Sequence, residues 1–265
     1  MSSYQQLFGW RGAVQVGLIC GIAATALAWA QSVHADSSPV ESGFLSISLD
    51  DMQTIQRDKG VDLLYLAPGA FERLGDYDAV MIDQPEVWID RGSDYPGTKP
   101  DYLKAIVDLV RDKLTGALVR GGHDVVEAPG PRVAYIRTGL TDLHLKKKPG
   151  KEARGYSAIA SQTSEQMIRA MLKYFDVVEM ALQLEVVDLE TEEVLGAVVI
   201  QRGERTAKPD SQNDQRLDFA EFLGIVDEYA GRVRCRFDNG KLPKVDWMDC
   251  TGLSPQDAAQ LAASD

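Results

Sequence analysis

Apolar residues recur at helical spacing over residues 103–118. They form one stripe with a period of 3.6 residues, made of Leu103, Ile106, Val107, Val110, Leu114, Ala117 and Leu118. Thr98 and Pro100 mark the start of this helix, and Gly121 and Gly122 mark its end. A stripe this continuous has to be covered, so it predicts a helix packed on a sheet.

Two further amphipathic patterns follow. Residues 214–233 predict a second strong helix, whose apolar stripe holds Phe222, Ile225, Val226, Tyr229 and Val233. Residues 158–175 predict a weaker helix. Because each strong helix has a single apolar stripe, we expect both to cover the same face of the sheet.

Alternating apolar and polar positions predict the strands. Residues 79–90 predict the first main strand, in which Pro85 indicates a bend or an edge position. Residues 133–145 predict a half-buried strand, and residues 177–205 predict a hairpin. The polar face of the hairpin holds Glu179, Gln183 and Glu185.

These elements predict an α/β (α+β) fold, a single two-layer sandwich. The expected order is β-α-β-(α)-β-β-α, with a mixed sheet and helices mainly on one face. The chain is accordingly divided into a signal peptide (1–35), an extended N-terminal arm (36–78), the sandwich domain (79–235) and a C-terminal tail (236–265).

The first 35 residues carry the pattern of a secretory signal peptide. Arg11 supplies a short positive region, and the 18 residues 13–30 run apolar. Small residues then precede a predicted cleavage between Ala35 and Asp36. The sequence therefore predicts a periplasmic protein. The alternative is an uncleaved membrane anchor, because the apolar run is just long enough to span a bilayer.

Cysteine usage agrees with export. Only Cys235 and Cys250 follow the predicted cleavage site, and an even count in an oxidising compartment permits one disulfide. Two unpaired thiols are the alternative. Cys20 lies in the middle of the apolar run, where it does not fit a lipid-attachment site, so no lipid anchor is predicted.

Composition narrows the function classes. The chain has 265 residues, a formal charge of −12, 45% apolar residues and 26% charged residues, which is typical of a folded domain. Its acidic balance argues against sequence-independent nucleic-acid binding. Neither a phosphate-binding loop nor a dinucleotide fingerprint occurs in the sequence, so no cofactor is predicted.

Carboxylates and a histidine offer one catalytic hypothesis. Asp83 and Asp90, with His144, are candidates for acid–base chemistry or for holding a divalent cation. The 40 acidic residues make chance clusters common, so a solvated face is the simpler interpretation. The catalytic hypothesis requires the three side chains to converge in one cleft.

One basic patch stands out on this acidic chain. It consists of Lys146, Lys147, Lys148, Lys151 and Arg154. Such a patch is suited to peripheral contact with anionic lipid. A solvated loop is the simpler interpretation, because the sequence shows no aromatic anchor beside these charges.

Several motifs, taken in order, resemble a known bacterial family. They are DLLYLAPGA (62–70), YDAVMID (77–83), APGP (128–131) and EVVD (185–188). Over about residues 43–232 the chain resembles the family named domain of unknown function 3313. The resemblance implies an exported, envelope-associated domain, many of whose relatives look like lipoproteins. It implies no catalytic residues, and the position of Cys20 departs from the lipoprotein pattern.

The sequence therefore favours a non-enzymatic binding or accessory module of the bacterial envelope. We expect a protein partner there, and an exposed edge of the hairpin sheet is a candidate docking site. A hydrolase or cation-dependent enzyme built on the carboxylates is one alternative. A small-ligand carrier is another, and it requires an apolar pocket of roughly several hundred Å³.

Overall fold

A computed structural model describes residues 42–57, 60–95, 97, 100–151, 163–203 and 216–250. The helices are α1 (Ala70–Leu74), α2 (Pro100–Arg120), α3 (Ser164–Met171) and α4 (Phe219–Gly240). The strands are β1 (Gln53–Arg57), β2 (Gly60–Leu66), β3 (Ala79–Ile82), β4 (Glu86–Ile89), β5 (Asp124–Val126), β6 (Val133–Lys147), β7 (Phe175–Asp188) and β8 (Glu193–Gly203). The predicted signal peptide, the pair Ala35 and Asp36, and Arg154 lie outside the described residues.

The sheet is open and mixed, which confirms the predicted fold class. Its described strands run in the order β1-β2-β8-β7-β6-β3-β5, and β4 pairs with β6 beyond the end of β3. The pairs β3–β5, β3–β6 and β4–β6 are parallel, and the others are antiparallel. The expected strand 79–90 is thus divided in two, because Pro85 has no N–H to donate to a ladder.

The hairpin β7–β8 has no free edge. β8 pairs with β2, and β7 pairs with β6, so both hairpin strands lie inside the sheet. The expectation of an exposed hairpin edge was therefore wrong. The outer strands of the described sheet are β1 and β5.

The two strong helices cover one face of the sheet, as the sequence predicts. Leu114 and Leu118 of α2 and Val226 of α4 are fully buried in the main core. α4 begins at Phe219 because a capping box precedes it. The Asp218 side chain accepts from the Glu221 N–H, and the Glu221 side chain accepts from the Asp218 N–H. It continues to Gly240, so its last turn occupies residues predicted as tail.

The weaker helix is shorter than its pattern. α3 is capped by Thr163 and Gln166 and ends at Met171. Phe175, expected in this helix, starts strand β7 instead. Residues 152–162, where the helix was expected to begin, lie outside the described part of the chain.

Part of the predicted N-terminal arm belongs to the sheet. β2 pairs antiparallel with β8 over its whole length, and β1 extends the sheet by one more strand. The short apolar run at Leu63 and Leu64 is therefore a strand that ends before the turn at Pro68 and Gly69. Its length is typical of a strand rather than of a surface patch.

A non-helical segment covers the second face of the sheet. Residues 42–52 contain two short 3₁₀ turns, Ser42–Phe44 and Leu49–Asp51. The Phe44 ring is buried over Gly139, where a Cβ atom would lie only 3.0 Å from the ring. Beneath this segment Glu185 accepts hydrogen bonds from the Ser46 backbone N–H and hydroxyl. The polar face of β7 is thus buried rather than open to solvent.

The segment after α4 is tied back to the helix. Cys235 and Cys250 form a disulfide with a Cα–Cα distance of 5.5 Å. Asn239 holds the same segment, since its amide donates to the Met248 carbonyl and accepts from the Met248 N–H, each at 2.8 Å. The structure therefore contains the bridge that the sequence left open against two free thiols.

Candidate functional site

A groove of about 330 Å³ lies where the ends of β6 and α3 meet the beginnings of β7 and α4. We call it the basic groove. Its lining residues are Lys148, Arg169, Leu172, Lys173, Phe175, Asp176, Arg216, Leu217, Asp218 and Phe219. Four cationic side chains face two carboxylates there, so this end of an acidic protein is locally positive.

Backbone contacts fix the walls of the groove. The Lys148 N–H donates to the Tyr174 carbonyl at 2.8 Å, which joins the end of β6 to the turn after α3. The Leu217 N–H donates to the Val177 carbonyl at 2.9 Å, which attaches the start of α4 to β7. The first contact joins residues 26 positions apart and the second joins residues 40 positions apart, so that together they hold a groove built from residues 148–219.

The two carboxylates of the groove already have partners. Asp176 accepts from Lys148 Nζ at 3.1 Å and from Arg216 Nη1 at 3.4 Å. Asp218 is used in the cap of α4. The Arg169 guanidinium lies 4.1 Å from the centre of the Phe219 ring, an aromatic contact that also orients the cation.

Five exposed cations at or near the groove are called the cationic rim: two of them line the groove, and three lie within three positions of its residue Lys148. They are Lys146, Lys147, Lys151, Arg169 and Lys173. In the described part of the chain, no carboxylate lies within 4.0 Å of the charged groups of these side chains. The Asp94 carboxylate binds the Lys147 backbone N–H at 2.9 Å.

The structure therefore adds further cations to the basic patch that the sequence predicts. Lys148 lines the groove, and Lys146, Lys147 and Lys151 lie within three positions of it in the sequence, whereas Arg154 is outside the described residues. Sequence reasoning missed Arg169, Lys173 and Arg216, which come from α3, the turn after it and the segment before α4. No local pattern shows that these cations share a surface, because only the β6–β7 and β7–Leu217 pairings bring them together.

The three catalytic candidates do not share one cleft. His144 Nδ1 lies 3.2 Å from Asp90 Oδ1. Asp83 instead accepts from the Tyr135 hydroxyl at 2.5 Å. The N–H groups of Asp83 and Asp90 bind the carbonyls of Ile136 and Leu143, which are seven residues apart on β6. That spacing corresponds to about 20 Å along a strand.

The Asp83 contact is a stable hydrogen bond to a neutral phenol. Burial and the adjacent Asp83 carboxylate raise the pKa of Tyr135 to about 12. Tyr135 therefore remains a donor at neutral pH. Among the described residues no group of three or more His, Cys, Asp or Glu side chains is placed to hold a metal ion.

A buried ionic cluster lies beneath α4, away from the basic groove. Asp62 on β2 accepts from Arg57 at 2.8 Å, from Arg202 at 2.6 Å and from Arg232 at 2.7 Å. Burial alone would raise the pKa of Asp62, but the neighbouring guanidinium groups outweigh it and lower the pKa. Burial and the charge of Arg232 lower the pKa of the nearby Arg236 to about 10.

An apolar cavity beside this cluster is small. It lies between β2, β8 and the end of α4, and its volume is about 20 Å³. Ligand sites for small molecules usually have roughly 300–1,000 Å³. The cavity therefore does not support the small-ligand carrier hypothesis.

A second described histidine, His123, has a structural contact. His123 is 4% exposed, and its Nε2 lies 2.7 Å from Asp238 Oδ1. Its ring also packs edge-on against Phe237. This contact joins the turn after α2 to the end of α4.

A comparison with protein families identifies the chain. The model of the family described as Protein of unknown function (DUF3313) matches residues 40–233, which cover most of the chain. The chain belongs to this family. The match has nearly the bounds over which the sequence motifs resembled the same family. A comparison of this DUF3313 protein with curated proteins finds no match.

Several solved structures are similar to this DUF3313 protein. Two are PelC dodecamers from Paraburkholderia phytofirmans, at 11% and 12% identity with TM-scores of 0.33 and 0.34. Each comparison covers 68% of this chain and 97% of the other. A third is a putative neuraminyllactose-binding hemagglutinin homolog from Helicobacter pylori, at 13% identity, a TM-score of 0.30, and 71% and 89% coverage.

No helix in the described part of this DUF3313 protein is both long enough and apolar enough to cross a membrane.

Proposed function

We propose that the chain is an exported, non-enzymatic binding module of the bacterial envelope, and that the basic groove with its cationic rim binds an anionic partner. The observation that carries the proposal is a group of rim cations that have no carboxylate partner among the described residues, on a chain with a formal charge of −12. Cations held away from the surrounding acids produce a local positive potential that attracts anions.

Export is part of the same proposal. The apolar run at residues 13–30 and the small residues before Asp36 are typical of a cleaved signal peptide. The disulfide between Cys235 and Cys250 supports an oxidising compartment, because such bonds are rare in the cytosol. We therefore propose that the mature protein begins at Asp36 and resides in the periplasm.

The structure places apolar side chains beside the basic residues, which the basic patch in the sequence lacked. An exposed run of lysines binds weakly on its own, because each charge is hydrated and screened. Here Phe219 lines the groove beneath Arg169, and Leu172 adds a half-buried apolar surface. Charges placed beside apolar surface keep more of their attraction for an anion than fully solvated charges do.

The two alternative functions receive less support. A hydrolase or cation-dependent enzyme based on Asp83, Asp90 and His144 needs convergence, and Asp83 lies far along β6 from the other two. The apolar cavity beneath α4 is too small for a carried ligand. A protein partner at the hairpin edge is not retained, because that edge is paired on both sides.

Retention on a sulfonate cation-exchange resin at neutral pH tests the proposed binding surface. A protein with a formal charge of −12 is not retained unless its cations are gathered on one surface. We expect retention at low salt for protein expressed from the full chain, and loss of retention for the variant Lys146→Glu with Lys147→Glu.

A matched control separates local charge from net charge. Lys241→Glu with Lys244→Glu makes the same change in net charge, at exposed residues beyond the far end of α4. The 22 residues of this helix place that site about 30 Å from the groove. The control variant should be retained like the unaltered protein. Absence of retention for the unaltered protein, or equal loss in both variants, would overturn the proposal.

A further inference from the structure

The cationic rim is arranged as a broad surface rather than as a cage for a small anion. Its five cations belong to the end of β6, the turn that follows, α3 and the turn after α3. All five side chains are exposed; Arg169 and Lys173 line the open groove, and the other three lie beside Lys148, at the end of β6 and in the turn after it. A small anion is usually held by a few convergent donors, whereas a flat array of anions suits charges spread over a rim.

We propose that this rim docks on an anionic phospholipid surface, where it binds the phosphate groups of several lipids at once. The inference rests on the proposed function, since it names the source of the anion that the basic groove binds. The observation behind it is charge complementarity. Lysine and arginine side chains near an anionic bilayer each add to the attraction, so that several together produce a stable contact.

The neighbouring apolar residues fit the same surface. Arg169 lies over the half-buried ring of Phe219, and Leu172 lines the groove beside it. Aromatic and aliphatic side chains beside cations are typical of proteins that rest on the headgroup region of a membrane. The α3 helix is short and amphipathic, and it presents Arg169 on its exposed side while Ile168 and Met171 remain in the core.

The acidity of the rest of the chain determines how the protein is oriented on the bilayer. The chain as a whole has a formal charge of −12, so an anionic bilayer repels it on average, and the rim end is the side expected to approach the bilayer. The contact is therefore expected to be reversible and to weaken as salt screens it. It requires neither a lipid anchor nor a membrane-spanning segment.

Sedimentation with lipid vesicles tests this inference. Protein expressed from the full chain is purified from the periplasmic fraction and mixed with vesicles of phosphatidylcholine that contain phosphatidylglycerol, or with vesicles of phosphatidylcholine alone. We expect sedimentation only with the vesicles that contain phosphatidylglycerol, at low ionic strength. At about 0.5 M salt the bound fraction should disappear, because the screening length falls to a few Å.

Variants locate the contact. Lys146→Glu with Lys147→Glu should lower the vesicle partition coefficient by more than about tenfold. Lys151→Glu with Lys173→Glu provides an independent pair, since both residues are exposed and on different elements. Lys241→Glu with Lys244→Glu should bind like the unaltered protein. Far-UV circular dichroism shows that each variant keeps the fold.

Other outcomes would overturn the inference in distinguishable ways. If the protein is retained on the sulfonate resin but does not sediment with the vesicles, the lipid surface is rejected and the proposed anion-binding function remains. A protein that neither binds the sulfonate resin nor sediments with the vesicles would reject both the proposed function and the lipid surface. Release of bound protein by glycerol 3-phosphate, added at the phosphate concentration of the vesicles, would mean a small-anion site instead of a docking surface. Equal binding to both kinds of vesicle would reject recognition of the anionic headgroup.

Discussion

Asp62 on β2 and Arg232 on α4 are joined by a hydrogen bond of 2.7 Å beneath the helical layer. Both side chains are more than nine-tenths buried. Arg202 binds the other oxygen of the same carboxylate, and Arg57 approaches from β1. One carboxylate on β2 therefore ties the edge strand β1 and the inner strand β8 to the longest helix of the described chain.

Removal of the Asp62 charge should strongly destabilise the protein. Asp62→Asn leaves buried guanidinium groups without their shared countercharge, and breaking a buried pair in this way costs about 3–5 kcal/mol. The free energy of unfolding in urea measures the effect. Asp78→Asn is the matched control, because Asp78 pairs with Arg132 at 2.8 Å on the surface. Its expected effect is below about 1 kcal/mol, and an equal effect of both substitutions would contradict the role of burial.

The same carboxylate predicts how stability changes with pH. Because the folded protein lowers the pKa of Asp62, its contribution is fully present above the unfolded value of about 3.9. The contribution is lost as the pH falls through the folded pKa. Urea unfolding between about pH 6 and about pH 3 should therefore show a smaller loss of stability for Asp62→Asn than for the unaltered protein. Parallel curves would show that Asp62 titrates alike in both states.

The disulfide predicts a dependence of stability on reducing agent. Cys235 and Cys250 are 15 residues apart, and closing a loop of that length contributes about 3 kcal/mol. Cys235→Ser should lower the midpoint of thermal unfolding by several degrees, roughly 2–4 °C for each kcal/mol lost. A reductant should lower the midpoint of the unaltered protein and leave the variant unchanged. If the reductant has no effect on the unaltered protein, the bridge does not contribute to stability.

The contact between Ser46 and Glu185 predicts that Glu185 holds the segment of residues 42–52 on the second face of the sheet. Glu185 is fully buried and also accepts from Arg137 Nη1 at 3.0 Å. Glu185→Gln removes the negative charge that three hydrogen bonds share, so amide hydrogen exchange in residues 44–52 should become about tenfold faster or more. Exchange in α2 around Leu114 should change little. Glu193→Gln is the control, since Glu193 is half exposed and pairs with Arg73. Equal protection in both variants would mean that Glu185 does not hold the segment.

Elements with a one-sided pattern were predictable from the sequence. The stripe from Leu103 to Leu118 gives α2 within a residue or two of its observed bounds, because only one face of that helix meets the core. The hairpin was equally clear, since Met180, Leu182 and Leu184 alternate with polar residues and lie on the helical side of the sheet.

Features that depend on distant contacts were not predictable. β1 and β2 have short patterns, and their place in the sheet is determined by pairing with β8. The burial of Glu185 depends on Ser46 and Arg137, which are 139 and 48 residues away. Only part of the basic groove was predictable from the sequence. Its lysines around Lys148 are adjacent in the sequence, whereas Arg169, Lys173 and Arg216 join them only through the fold.

Cell fractionation with intact-mass analysis tests the central claim of an exported module most directly. The account predicts a protein in the periplasmic fraction that begins at Asp36. Its mass should be two hydrogens below that of the reduced chain, because of the bridge between Cys235 and Cys250. A protein in the cytosolic fraction with its N-terminal segment intact and both thiols free would contradict the claim. An uncleaved chain in the membrane fraction would show that residues 13–30 are an anchor, which would contradict the proposed cleavage.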